Sequence, residues 1–109
     1  MRLLTLGAYL PLLALLGSSA VADDTAILHR GEALLARNCS RCHAIGAVGD
    51  SRHPQAPLFR TLAQRYPVEF LEEALGEGII SGHPDMPEFR FRGEDVGAIV
   101  MYLKSIQEH

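Results

Sequence analysis

Cys39-Ser40-Arg41-Cys42-His43 decides the reading of this 109-residue sequence, and it holds both of the chain's cysteines. Two thiols three positions apart on one helical turn can each add across a vinyl group of a haem, and an imidazole directly after them reaches the iron. One short segment then supplies two thioether anchors and an axial ligand. A redox dithiol or half of a zinc site would use the same two cysteines. Zinc, however, needs two further Cys or His ligands at suitable spacing, and a redox pair needs no adjacent histidine or haem-sized apolar surroundings. The expectation is attachment of one c-type haem through Cys39, Cys42 and His43.

Downstream stands Gly82-His83-Pro84-Asp85-Met86-Pro87-Glu88-Phe89. A methionine between two prolines, in a segment too stiff for a helix, is an odd place for a core residue. It suits a ligand that must be held rigidly. A thioether is soft and neutral, so Met86 on the iron would stabilise the ferrous state and raise the reduction potential. His83 is the rival, since a second histidine would lower the potential. Met1 is expected to leave with the leader, and Met101 falls mid-helix as a core residue.

Around the cysteine segment come Gly31 upstream, Pro57 in the middle, Met86-Pro87 downstream and Tyr102-Leu103-Lys104 near the end. In this order they make the chain resemble the small class I cytochromes c of bacteria, over about residues 26–106. The resemblance implies an all-α cytochrome c fold, with three main helices plus a short helix wrapped around one covalently attached haem. It implies His43 and Met86 as the two metal ligands, with His83 and His53 left at the loop surface. Pro57 is implied as the carbonyl that accepts the Nδ1 proton of His43, which would fix the ring and strengthen it as a donor. Phe59 is implied to pack against the haem face. Gly31 is implied to let the first and last helices cross without a Cβ between them, meeting Ile99 and Tyr102. Leu35 stands where the family often has an aromatic. Tyr66 is read either as a hydroxyl for a haem propionate or as ordinary packing.

Residues 1–22 read as a cleaved signal peptide. Arg2 gives the positive start, Leu3 to Leu16 is a leucine-rich apolar run, and Gly17 to Ala22 ends in the small-x-small pattern before a cleavage expected after Ala22. Pro11 and the shortness of the run argue against a bilayer anchor. The site of action is then the periplasm, and residues 23–109 form a single monohaem domain. So short a chain buries a limited core and needs its cofactor to complete it. A net charge of −3 argues against nucleic acid and anionic membrane surfaces as partners. No internal repeat, low-complexity tract or linker is read.

The first helix is expected from Thr25 or Ala26 to Asn38, capped by Asp23, Asp24 and Thr25, with Ile27, Leu28, Ala33, Leu34, Leu35 and Ala36 apolar. A polar loop follows, punctuated by Gly46, Gly49, Pro54 and Pro57. Leu58 to Gln64 reads as a short helix. Pro67 or Val68 to Leu75 reads as the next, stopped by Gly76 and Gly78, with Phe70, Leu71, Ala74 and Leu75 as its apolar stripe. Glu69, Glu72, Glu73 and Glu77 face outward. The last helix is expected from Glu94 to Gln107, burying Val96, Ile99, Val100, Leu103 and Ile106.

With His43 and Met86 both bound, the iron has no open position for substrate. The resemblance therefore implies a non-enzymatic carrier of single electrons, docking transiently at the haem edge with a periplasmic dehydrogenase as donor and an oxidase or reductase as acceptor. Arg41, Arg52, Arg90 and Arg92 are placed near that edge, where they would steer encounter with an acidic partner surface. The alternatives are a permanent haem subunit of a larger dehydrogenase, or a five-coordinate haem enzyme or gas sensor.

Overall fold

No glycine or proline interrupts the chain between Ser19 and Arg30, and helix α1 spans Ser19–Asn38. The expected start at Thr25 or Ala26 is too late by about two turns, because small residues continue the helix backwards past the acidic pair. Asp23, Asp24 and Thr25 thus lie inside α1 rather than at its cap. The computed structural model describes residues 2–5, 7–12 and 19–108, with side chains in the last span from Asp23 onwards. The segment before the expected cleavage point falls partly outside the described residues. No helix among the described residues is long and apolar enough to cross a membrane.

Two 3₁₀ turns follow, Phe59–Gln64 and Val68–Phe70, then helix α2 (Leu71–Glu77) and helix α3 (Gly93–Ser105). The architecture is all-α, and among the described residues one antiparallel bridge pairs Ile79 with Phe89. The short helix expected from Leu58 is a 3₁₀ turn, and the helix expected from Pro67 opens as one before loosening into α2. Tight turns fit such short segments. Gly76 does not stop α2; Gly78 does. Its φ of 121° is closed to other residues, its N–H reaches the Ala74 carbonyl at 2.9 Å, and a Cβ there would strike the Glu88 carboxylate.

α1 and α3 cross at Gly31. A Cβ on Gly31 would overlap the Ala98 carbonyl and lie 2.8 Å from the Tyr102 Cβ. Tyr102 therefore meets the glycine as the resemblance implies, while the other nearest group is Ala98 and Ile99 is wholly buried beside them. At the rim of the crossing, Arg30 Nη2 sits 2.6 Å from Asp95 Oδ1. Leu35, 2 % exposed, fills the core where an aromatic was the family's choice.

The apolar faces differ in detail from the sequence pattern. Phe70 is 69 % exposed, and Val68 takes its place in the core with Leu62, Leu75, Val96, Ile99 and Leu103. Ile27 is exposed, and Met101 and Ile106 are half-buried. α3 ends at Ser105, two residues short of Gln107. The Gln107 side chain then works across elements: its Nε2 donates to the Leu103 and Phe59 carbonyls, and its Oε1 accepts from the Ala63 N–H at 2.8 Å. That bonding holds the end of the chain against the first 3₁₀ turn.

Candidate functional site

The end of α1 becomes the first wall of the site. Cys39 N–H still reaches the Leu35 carbonyl at 2.8 Å, and the Cys39 carbonyl accepts from both Cys42 (3.1 Å) and His43 (2.9 Å). This closed turn puts both thiols and the imidazole on one side of the chain. Cys39 and Cys42 are unpaired thiols. Burial, and then the neighbouring Cys42, push the Cys39 thiol up to about 11.

The loop that follows is folded back by specific bonds. Ala44 N–H donates to Ser51 Oγ, Phe59 N–H to the Ala44 carbonyl at 3.0 Å, and Tyr102 Oη to the Ile45 carbonyl at 2.8 Å. Pro57 is thereby brought beside the cysteine turn. His43 Nδ1 stands 2.8 Å from the Pro57 carbonyl oxygen. A carbonyl only accepts, so Nδ1 carries the proton and Nε2 keeps its lone pair. Phe59 packs on the same ring, centroids 4.5 Å apart, so it touches the imidazole itself.

The opposite wall is the loop between α2 and α3. Three contacts pin its base: Ile79 N–H to the Phe89 carbonyl, Phe91 N–H to the Leu75 carbonyl, both 2.8 Å, and the Arg90 guanidinium to the Glu77 carbonyl. The base is fixed so that the stiff tip carries Met86. Arg90 is consequently committed to holding this loop.

Between the walls lies a cleft of about 400 Å³ opening to solvent, and next to it an inner hollow of about 170 Å³ that shares part of its lining. Cys39, His43, Pro57 and Met86 line both; Cys42 and Arg41 line the outer part, and Phe59 the inner. The six residues singled out in the sequence as haem-binding thus all line the cleft or the adjoining hollow, four of them both. Leu35, Leu62, Tyr66, Leu75, Ile99 and Leu103 close its inner end. Tyr66 is half-buried there, and burial raises its phenol above the ordinary value. The donor set suits a flat, largely apolar, iron-centred ring: two thiols and an imidazole on one wall, a thioether on the other, and apolar side chains within.

The rim holds residues that sequence reasoning set aside. His53 Nε2 donates to Asp85 Oδ2 at 3.0 Å, and His83 Nε2 donates to Gln55 Oε1, so both histidines are half-buried and engaged with the other wall. They lie at the loop surface as expected, but each is tied to a partner on the other wall rather than free in solvent. The bond from His53 holds the Asp85 carboxyl below its ordinary range. A signal was present: His53-Pro54-Gln55-Ala56-Pro57 and His83-Pro84-Asp85-Met86-Pro87 share His-Pro-x-x-Pro, a short repeat that corrects the reading of none.

The model of the family described as cytochrome c oxidase, cbb3-type, subunit III matches residues 26–103. The chain belongs to this family. Its cytochrome c domain accounts for the all-α fold, and it makes this a haem-binding chain of an electron-transfer family rather than one of typical enzymes. Comparison with curated proteins finds no match, and comparison with solved structures finds none.

Proposed function

We propose that this cytochrome c chain carries single electrons on one haem c, bound covalently through Cys39 and Cys42, with His43 and Met86 as axial ligands. The observation that carries the reading is the convergence of Cys39, His43 and Met86 on one crevice, with the His43 ring already oriented by Pro57. Bound there, the haem would supply a one-electron ferric–ferrous couple.

Every other part of the job falls to the chain. Pro57 holds the His43 proton at Nδ1, which aims Nε2 into the crevice and raises its basicity. Met86 offers a soft, neutral sulfur from a loop whose base is pinned, so little need move when the charge of the site changes by one. The apolar inner wall excludes water and disfavours the more highly charged state. With His43 and Met86 both holding the iron, no position would be left for a substrate, which supports a carrier over an enzyme. Arg41 lies on the outer, solvent-facing part of the crevice and would steer an acidic partner towards it.

The leader-like residues 1–22 support export and action in the periplasm after cleavage behind Ala22. A periplasmic dehydrogenase is proposed as donor and a terminal oxidase or reductase as acceptor. The family's description names an oxidase subunit, and this supports a second reading in which the chain stays in a larger complex. Phe70 and Ile80, 69 % and 76 % exposed, would then be covered.

The test is an optical spectrum of the purified protein, oxidised and reduced. A weak near-infrared band from sulfur bonded to ferric iron, lost in Met86→Ala, is the expected result. Absence of the band together with ready binding of carbon monoxide would overturn the ligation and the carrier role.

A further inference from the structure

The two His-Pro-x-x-Pro segments bond to each other reciprocally. In each, the residue two places after the histidine donates its backbone N–H to that histidine's Nδ1, Gln55 to His53 and Asp85 to His83, both at 3.1 Å. In each, the residue three places on closes a turn onto the histidine carbonyl, Ala56 at 3.1 Å and Met86 at 3.2 Å. Both rings are thereby turned with Nε2 towards the opposite segment, where His53 meets Asp85 and His83 meets Gln55. The rings themselves stand edge to face, centroids 5.3 Å apart. One ligand atom each from His53, His83 and Asp85 lies within 4.8 Å of the others.

We propose that His53, His83 and Asp85 form a second metal site, for one divalent transition-metal ion such as Zn²⁺ or Cu²⁺, bridging the two loops at the rim of the crevice. Two imidazoles and one carboxylate are a ligand set suited to these ions, and poorly suited to Mg²⁺ or Ca²⁺, which take oxygen ligands. Three protein ligands leave a fourth position for the Gln55 amide oxygen or for water. The backbone N–H groups that donate to Nδ1 fix the orientation of both rings towards the opposite segment.

Coordination through Nε2 displaces the two protons now donated to Asp85 and Gln55. Each ring proton then sits on Nδ1, and the N–H groups of Gln55 and Asp85 turn to water, which is available because both residues are exposed. The carboxylate charge of Asp85 meets the ion directly. Because His53 lies four residues before Pro57 and His83 three before Met86, the ion would tie the loop that orients His43 to the loop that carries Met86. His53, His83 and Asp85 line the outer part of the same cleft as His43 and Met86.

The experiment uses the full, haem-loaded, oxidised protein and titrates it with Zn²⁺ by calorimetry and with Cu²⁺ by electron paramagnetic resonance. One ion per chain is expected, with nitrogen hyperfine structure from two imidazoles on copper and no response to Mg²⁺. His53→Ala, His83→Ala and Asp85→Asn should each weaken binding by at least about tenfold, while His29→Ala leaves it unchanged. The visible haem spectrum of each variant reports that the fold is retained, so loss of binding is read separately from loss of structure or of haem ligation. Absence of binding in the parent protein overturns the proposal, and so does binding that persists in His53→Ala and His83→Ala.

Discussion

The Pro57 carbonyl oxygen lies 2.8 Å from His43 Nδ1, and the Phe59 ring rests on the same imidazole with its centroid 4.5 Å away. One contact sets the ring's proton and the other its plane. Both come from a stretch that a row of backbone bonds folds back onto the cysteine turn, so the orientation of His43 is a property of the loop and not of His43 alone.

Phe59 is the member of this arrangement that substitution can remove, since the Pro57 carbonyl belongs to the backbone. Phe59→Ala would leave a void between His43, Leu62 and the inner hollow, and large-to-small changes of this kind cost about 3–5 kcal/mol. Phe59→Leu, which keeps most of the volume, should cost less than about 1.5 kcal/mol. Urea unfolding of the haem-loaded variants, followed by haem absorbance, checks the order. Equal midpoints for the two would show that the ring does not support the site.

Neighbouring positions on α1 should behave in opposite ways. Gly31→Ala drives a methyl group into the Ala98 carbonyl and Tyr102, where backbone cannot yield, so α1 and α3 must move apart at a cost of about 1–3 kcal/mol. In a domain this small, each kcal/mol lowers the melting temperature by about 4–8 °C. Arg30→Ala removes only the exposed ion pairs to Asp95 and Glu94, worth about 1 kcal/mol or less and weaker in salt. Thermal melts at low and high salt separate the two: the Gly31→Ala loss should not depend on salt.

These contrasts show what could be read from the chain and what could not. The anchors were legible because their spacing is local: Cys39 to His43 is one turn, and Met86-Pro87 is a dipeptide. Gly31 was legible as a glycine in a helix that lacked a local reason to be there. The rim pairs were not, because His53 and Asp85 stand 32 positions apart and no periodicity joins two loops. The exposure of Phe70 was missed for a related reason. The segment opens as a 3₁₀ turn, which rotates the apolar face away from the one an α-helix would present.

Tyr102 carries a pH prediction. Its hydroxyl donates to the Ile45 carbonyl at 2.8 Å, and burial, with a lesser contribution from Glu32, raises its phenol above the ordinary value near 10. Below that value neither state is ionised and the contribution is fully present. As pH rises through the tyrosine range, the unfolded chain gives up the proton first, so stability falls until the folded phenol ionises too. Tyr66, raised in the same direction, adds to the loss. Tyr102→Phe should therefore cost about 0.5–1.5 kcal/mol at neutral pH and flatten the alkaline limb without abolishing it. Denaturant midpoints from pH 7 to 11 measure both effects; an unchanged alkaline slope would remove Tyr102 from the account.

The proposed covalent attachment makes the most direct prediction about the cysteines. Cys39 and Cys42 are both unpaired thiols, so each is free to form a thioether. Each thiol would add across one haem vinyl group, sulfur to one carbon and hydrogen to the other, a change that needs no external oxidant. Two such bonds should hold the haem when acid and an organic solvent unfold the chain. Cys39→Ser and Cys42→Ser should each retain it through the remaining bond, whereas the double variant should release it into the organic phase. Mass spectrometry of the denatured parent protein should show the chain mass increased by one haem; extraction of free haem from that protein would mean that the two thiols do not form thioethers.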